Sequence, residues 1–350
     1  MKKNIYIRNE IYNNEYRTPI VPKDILKLKR LGFLVFVESS KKRFFTDDEY
    51  KFYGAIIVYK KWYNFKNSLI IGIKELGNIE KLDNHTHVYF SHTFKKQSNS
   101  TYILNLFKKS NSILYDLEYF LYNNTRLLTF GFQAGLVGCT LGILQFYYKI
   151  NRGELKNLGY WSSFSNLFND LIIIFCSCEE IDNVKICLIG PFGNCGQGVR
   201  HLLNMLNLKY DLFDSKTKKV DLEKYDIVYN CINLKKNIGT WFDNNTPFYK
   251  NIIICDISCD YNNEFNPIKI YNNKTTWDNP VFKYNEYVDI IAIDNLPSLL
   301  PFESSNIFSN KLVHLLSCYK KDDYCFWKNS YNIFLSNIQE DLVSEVDSYP

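Results

Sequence analysis

Apolar residues recur along this chain in two patterns that alternate. Short continuous runs read as buried strands of a parallel sheet, and runs with apolar positions three and four apart read as helices. Residues 4–8 form a short strand, and a helix opens at Pro22, turns Ile25, Leu28 and Leu31 to one side and closes at Gly32. A strand follows at 33–37; Thr46 and Glu49 make a capping box for a brief helix that Gly54 ends before a strand at 55–58. The run 69–73 is apolar with a single glycine and stops on Lys74-Glu75, so Lys74 emerges at the carboxyl end of a central strand. A strand at 87–91 delivers His92 to the same edge, where open α/β sheets bind ligands, and the next, 112–117, leads through Asp116 to Glu118.

From 131 to 150 the pattern is helical, with Gly131, Ala134, Gly135, Gly138 and Gly142 forming a face of small side chains expected to bridge two domains. A polar stretch, 151–166, leads to an apolar helix ending near Cys178. Strands follow at 184–190, 209–214, 226–231, 252–257 and 288–293. The sequence LPSLLP at 296–301 starts a long helix to about Tyr319, and 326–346 is a final helix; both return the chain to its first half. The predicted fold class is α/β: two Rossmann-like doubly wound domains with a cleft between them. The first is discontinuous, 1–130 plus 304–350, and the second spans 131–303.

The strand at 184–190 empties into a turn carrying Gly190, Gly193, Gly196 and Gly198, and a helix with Val199, Leu202, Leu203 and Leu206 on one face follows. Strand, glycine turn and helix make a phosphate-binding corner, in which the backbone approaches a pyrophosphate whose charge meets the first N–H groups of the helix. The spacing is G-x-x-G-x-x-G, not G-x-G-x-x-G, and glycines after a strand can also serve a tight turn alone. Asp214, roughly two dozen residues on, stands where a ribose-binding carboxylate is expected and favours the dinucleotide reading.

Composition narrows the class. The 350 residues suit two domains, and 46% hydrophobic with 23% charged residues describes a globular protein. Forty-two basic against 37 acidic residues, without a basic block, argue against nucleic acid and suit anionic small molecules. The abundant Tyr, Phe and Asn are spread evenly and read as background. Ten cysteines include no C-x-x-C pair and no zinc-ligand spacing, so no metal is expected. The absence of an apolar leader or a membrane-length run predicts a cytoplasmic protein without a membrane partner. The oligomeric state stays open, a monomer included. Taken singly, Lys74 reads as a snorkelling lysine, His92 as a core histidine and Arg17 as a surface residue.

Several separated stretches resemble one family: Glu15-Tyr16-Arg17 with Pro19 and Pro22; Ile71-Gly72-Ile73-Lys74-Glu75; Phe90-Ser91-His92 through Gln97; Leu114-Tyr115-Asp116-Leu117-Glu118; and Phe130-Gly131-Phe132-Gln133-Ala134-Gly135. Gly193-Asn194-Cys195-Gly196, Asp256-Ile257-Ser258-Cys259-Asp260 and the run from Ile293 to Pro301 continue the series. In that order they resemble the lysine-forming, NAD-dependent saccharopine dehydrogenases of the alanine dehydrogenase/transhydrogenase superfamily, over nearly the whole chain. The resemblance implies oxidative cleavage of saccharopine to L-lysine and 2-oxoglutarate with NAD, the last step of the aminoadipate route to lysine.

The resemblance implies that Lys74 and His92 are the acid-base residues, Lys74 taking the proton of the secondary amine and His92 delivering one to the departing lysine. Arg17 would clamp a carboxylate, with Glu75 and Glu118 adjusting charge around the pair. Phe130, Ser258, Cys259, Asp260, Asn295 and Leu296 would line the substrate, and Asp294 would face the junction of substrate and cofactor. Gln97, Arg126, Gly193, Asn194, Asp214, Thr217 and Ile257 would meet NAD. Cys195 and Cys231 fall on positions that in the family lie close enough for a disulfide, expected mostly reduced here. His85 and His87 match no family role. Tyr12 and Asn233 depart from the family's usual lysine and tyrosine, and Asn194 from its arginine, which removes two cations. Alternatives are an NADP-dependent lysine-ketoglutarate reductase running the reverse reaction, opposed by Asp214, an alanine dehydrogenase, and an inactive dinucleotide-binding relative.

Overall fold

The computed structural model describes residues 3–95, 100–214, 221–232, 234, 237–319 and 325–346. Two compact units make up the chain: Met1–Thr129 with Ser304–Pro350, and Phe130–Glu303.

The first unit runs β1 (Lys3–Ile7), α1 (Ile25–Arg30), β2 (Phe33–Glu38), α2 (Asp47–Phe52), β3 (Ile56–Val58), β4 (Ser68–Ile71), β5 (Thr86–Tyr89), α3 (Ser100–Lys109) and β6 (Ile113–Asp116). Its sheet is wholly parallel, in the order β3-β2-β1-β4-β5-β6. Chain direction across the sheet reverses between β1 and β4, so the doubly wound switch point lies at their carboxyl ends. Ile5, Ile7, Ile70 and Ile71 on these two strands are fully buried, which is why the runs carry no polar alternation. The Thr46–Glu49 capping box that starts α2 is present in full. A short antiparallel hairpin, β7 (Leu121–Tyr122) and β8 (Thr125–Arg126), follows β6.

The second unit begins with α4 (Gly131–Ile150) and α5 (Phe164–Ser177) and continues through β9 (Ile186–Ile189), α6 (Asn194–Met205), β10 (Tyr210–Phe213), β11 (Ile227–Asn230), β12 (Ile252–Asp256), β13 (Phe282–Lys283) and β14 (Val288–Ile291). The strand order is β10-β9-β11-β12-β14-β13, parallel except for the antiparallel edge strand β13. The chain then enters α7 (Pro301–Ser317) and ends in α8 (Cys325–Val346). In the first unit, Trp327 of α8 packs edge-on against Tyr115, and Ser330 donates to the carbonyl of Asp116. No helix among the described residues is long and apolar enough to cross a membrane.

The small-residue face of α4, expected to bridge two domains, packs instead within the second unit. A Cβ on Gly135 would strike the carbonyl of Cys195, one on Gly198 of α6 would strike that of Phe132, and Gly142 faces the Tyr229 hydroxyl and the Cys255 sulfur. Bare backbone on both helices lets α4 and α6 touch at carbonyl distance. Leu31, expected on the buried side of α1, is 45% exposed because the helix has already unwound at that residue. LPSLLP does not run straight into a helix. It makes a 3-10 turn over Leu296–Leu299 and breaks at Leu300, whose φ of −129° and ψ of 64° lie outside the helical region that a following proline disfavours, before α7 begins.

Candidate active site

β4 stops at Ile71, two residues short of the predicted strand, and the backbone of 72–74 leaves the ladder with its polar groups still to be satisfied. Gly72 N–H donates to Val88 and the carbonyl of Ile73 accepts from Phe90 at 3.1 Å, so the strand's end stays tied to the end of β5. The N–H groups of Ile73 and Lys74 instead reach the buried carboxylate of Glu10, at 2.7 and 3.1 Å, and the Lys74 carbonyl accepts from Arg8. β5 likewise ends at Tyr89, earlier than the predicted run, and His92 takes a left-handed φ of 54°, an uncommon backbone for a non-glycine residue that turns the chain at the sheet edge.

That turn sets the imidazole between two carboxylates. His92 Nε2 lies 3.8 Å from Glu75, the residue after Lys74, and Nδ1 lies 3.6 Å from Glu118. Tyr12 donates its hydroxyl to Glu75 at 3.1 Å, so a neutral donor faces that carboxylate. Glu118 is buried, 3.6 Å from the half-exposed guanidinium of Arg126. Its backbone N–H is held by Asp116, which also accepts from Ser91, and burial raises the Asp116 carboxyl. An imidazole with a carboxylate near each ring nitrogen is oriented at the sheet edge as a group that can accept or donate a proton.

Arg17 is buried and its guanidinium is gripped by Glu15 through two bonds of 2.7 and 2.6 Å. The loop that carries both is pinned by Lys42, whose ammonium donates to the carbonyls of Glu10, Ile11 and Tyr12. Sequence reasoning named Arg17 but missed Arg8, Glu10, Glu15's grip and Lys42.

In the second unit β9 is followed directly by Gly190, with φ of +79°, and a Cβ on Gly196 would strike the carbonyl of Gly190 and the backbone of Pro191. α6 is capped by Gly193 without a side-chain bond, and Asn194, exposed, is its first residue. A bare, uncapped start to a twelve-residue helix suits a pyrophosphate. Asp214, partly buried, directly follows β10, the strand beside β9. These residues fit a dinucleotide.

Asp256, at the end of β12, collects donors from Asn230 (2.9 Å), Ser258 (2.6 Å), the Cys259 N–H and the Tyr271 hydroxyl. This network holds the turn of Ile257, Ser258, Cys259 and Asp260, in which Cys259 takes φ of 52°. Asp294 is exposed with Lys274 3.5 Å away, Asn295 accepts from the Trp277 indole at 2.9 Å, and Leu296 is buried. Phe130 directly precedes α4. The Cys195 and Cys231 sulfurs stand 3.0 Å apart as free thiols, and burial pushes the Cys231 thiol well up. Gln97, Thr217 and Asn233 lie outside the described residues. Among the described residues no group of three or more His, Cys, Asp and Glu could hold a metal ion.

The architecture and sequence both have relatives. The N-terminal domain family of alanine dehydrogenase/PNT matches residues 6–137. An L-alanine dehydrogenase structure superposes with a TM-score of 0.67 at 13% identity, covering 95% of this chain and 93% of that one, a likeness of fold. A Candida glabrata protein named saccharopine dehydrogenase [NAD(+), L-lysine-forming] is 32% identical over 89% of this chain and 91% of its own length. One of the same name from Emericella nidulans is 30% identical over 94% and 96%. The chain therefore belongs to the saccharopine dehydrogenase family of dinucleotide-dependent dehydrogenases.

Proposed function

We propose that this protein catalyses the NAD-dependent oxidative cleavage of saccharopine to L-lysine and 2-oxoglutarate, the final step of lysine biosynthesis by the aminoadipate pathway, in the cytoplasm. The observation that supports the reading is the cluster at the carboxyl ends of β4 and β5, where Glu75, the residue after Lys74, and Glu118 each face one imidazole nitrogen of His92. The names of the relatives supply the substrate.

Bound between the start of α6 and Asp214, NAD would supply the acceptor for the hydride that leaves the carbon next to the substrate's secondary amine, the loss that together with the amine proton makes the imine. Lys74 accepts the proton of the substrate's secondary amine. After water adds to the resulting imine of the substrate, His92 takes the proton of that water and returns one to the departing amine of lysine, with Glu75 and Glu118 holding the ring in line. Arg17, oriented by Glu15, meets a substrate carboxylate, and Phe130, Ser258, Cys259, Asp260, Asp294, Asn295 and Leu296 line the substrate. Arg126 and Ile257, with Gly193 and Asn194, complete the cofactor contacts.

Asp214 favours NAD over NADP, because a carboxylate repels a 2′-phosphate and accepts from a ribose hydroxyl. The test is consumption of NADH or NADPH at equal concentration with lysine and 2-oxoglutarate, set beside pyruvate and ammonia. Oxidation of NADH with the lysine pair is expected. Preference for NADPH, or turnover of pyruvate and ammonia alone, overturns the reading.

A further inference from the structure

Arg8 and Glu10 are 3% and 4% exposed, at the switch point of the first sheet, and neither has a role in the chemistry above. A charged pair there is costly, because each ion gives up its water. What it holds is specific. Glu10 Oε1 accepts from the N–H of Ile73 at 2.7 Å and Oε2 from that of Lys74 at 3.1 Å, while Arg8 Nη1 donates to Glu10 at 3.1 Å and Nη2 to the carbonyl of Lys74. Three successive peptide groups, those either side of Ile73 and the one after Lys74, are thus gripped by one ion pair after the β4 ladder has ended. The guanidinium lies over the Tyr89 ring of β5, 5.5 Å from its centre, and over Gly72, where any Cβ would strike it. A glycine at 72 is what admits Arg8 to this position.

We propose that the buried Arg8–Glu10 pair is the positioning device for Lys74, fixing the backbone from which the lysine side chain leaves the sheet edge. This rests on Lys74 being the proton acceptor. A carboxylate bonded to two consecutive N–H groups and a guanidinium on the following carbonyl define both the place and the direction of one peptide segment, and reacting groups displaced by about 1 Å can lose on the order of 100-fold in rate. The pair acts through Lys74 and touches no reactant.

A double-mutant cycle tests it. Glu10→Gln and Arg8→Gln are each combined with Lys74→Met and assayed for saccharopine oxidation. Hydrogen exchange is followed at the β1 and β4 amides and at Ile73 and Lys74. Each single variant is expected to lower kcat about 100-fold, with faster exchange confined to Ile73 and Lys74, and neither should lower kcat further once Lys74 is Met. Multiplicative losses in the double variants would overturn the proposal, because the pair would then act elsewhere. Loss of protection throughout β1 and β4 in both single variants would overturn it too, showing a pair that holds the sheet and not the lysine. Near-normal turnover of Lys74→Met alone would instead sink the assignment of Lys74, a failure distinguishable from the other two.

Discussion

His87, on β5, has 0% exposure, and both of its ring nitrogens are buried without a hydrogen-bond partner. Its neighbours are rings: Trp62 at 5.0 Å, Phe107 at 5.4 Å, His85 at 5.7 Å and Tyr89 at 6.2 Å between centroids. Burial, with lesser contributions from His85 and Arg8, pushes the imidazole well below its ordinary value of 6.5, so the folded protein keeps His87 neutral while the unfolded chain protonates it. For a depressed pKa the stability is present above the unfolded value and lost as pH falls below it. Starting from an unfolded pKa of about 6.5, a site that stays neutral in the fold costs about 1.9 kcal/mol of unfolding free energy between pH 7 and pH 5. His87→Leu, of similar volume and apolar like the site, removes this term. Urea unfolding of both proteins at the two pH values, followed through tryptophan emission, is the assay. The wild type should lose about 1.9 kcal/mol more than the variant over this interval. Equal losses would refute the reasoning and mean that the buried imidazole takes a proton in the folded state.

Three further outcomes follow from the geometry. Gly135→Ala sets a methyl group against the backbone carbonyl of Cys195, which no side-chain rotation can relieve, and should destabilise the second unit by about 2 kcal/mol despite alanine's better helix propensity; an unchanged or raised melting temperature would contradict it. Asp214→Ser should narrow the preference for NAD over NADP by about tenfold, a loss of roughly 1.4 kcal/mol, measured as the ratio of kcat/KM for the two cofactors. Mild oxidation should join Cys195 to Cys231, read as the loss of two titratable thiols and one cross-linked peptide pair; two thiols still titratable would count against it.

The parts of the molecule legible in sequence are those set by local periodicity and caps. The apolar run at 69–73 announces a central strand because it lacks alternation, though the strand ends at Ile71, and Thr46-Glu49 announces α2 because its bonds are local. The β7–β8 hairpin was also within reach, since Asn123 and Asn124, with φ of 47° and 58°, form the two-residue turn that asparagines favour, and α3 shows Ile103, Leu104 and Phe107 at helical spacing. Arg8 and Glu10 were not legible. Two charged residues after a strand ordinarily meet water, and only the pairing of β1 with β4, Ile7 beside Ile71, carries them to the amides of Ile73 and Lys74. The same holds for Asp256 and Tyr271, whose bond closes an irregular segment that no local periodicity announces. Lys74, Glu75, His92 and Glu118 could be named from resemblance, but the arrangement of both carboxylates around His92 depends on its left-handed turn, which no pattern of apolar residues encodes.

The most direct test of the account is the stoichiometry of saccharopine oxidation by the purified protein with NAD, reading NADH by absorbance and L-lysine and 2-oxoglutarate by mass spectrometry. The account predicts the three products in equal amounts, formed by the wild type and formed far more slowly, though still measurably, by Lys74→Met. An absence of products from a wild-type protein that binds NADH would contradict it and leave a dinucleotide-binding relative without this chemistry.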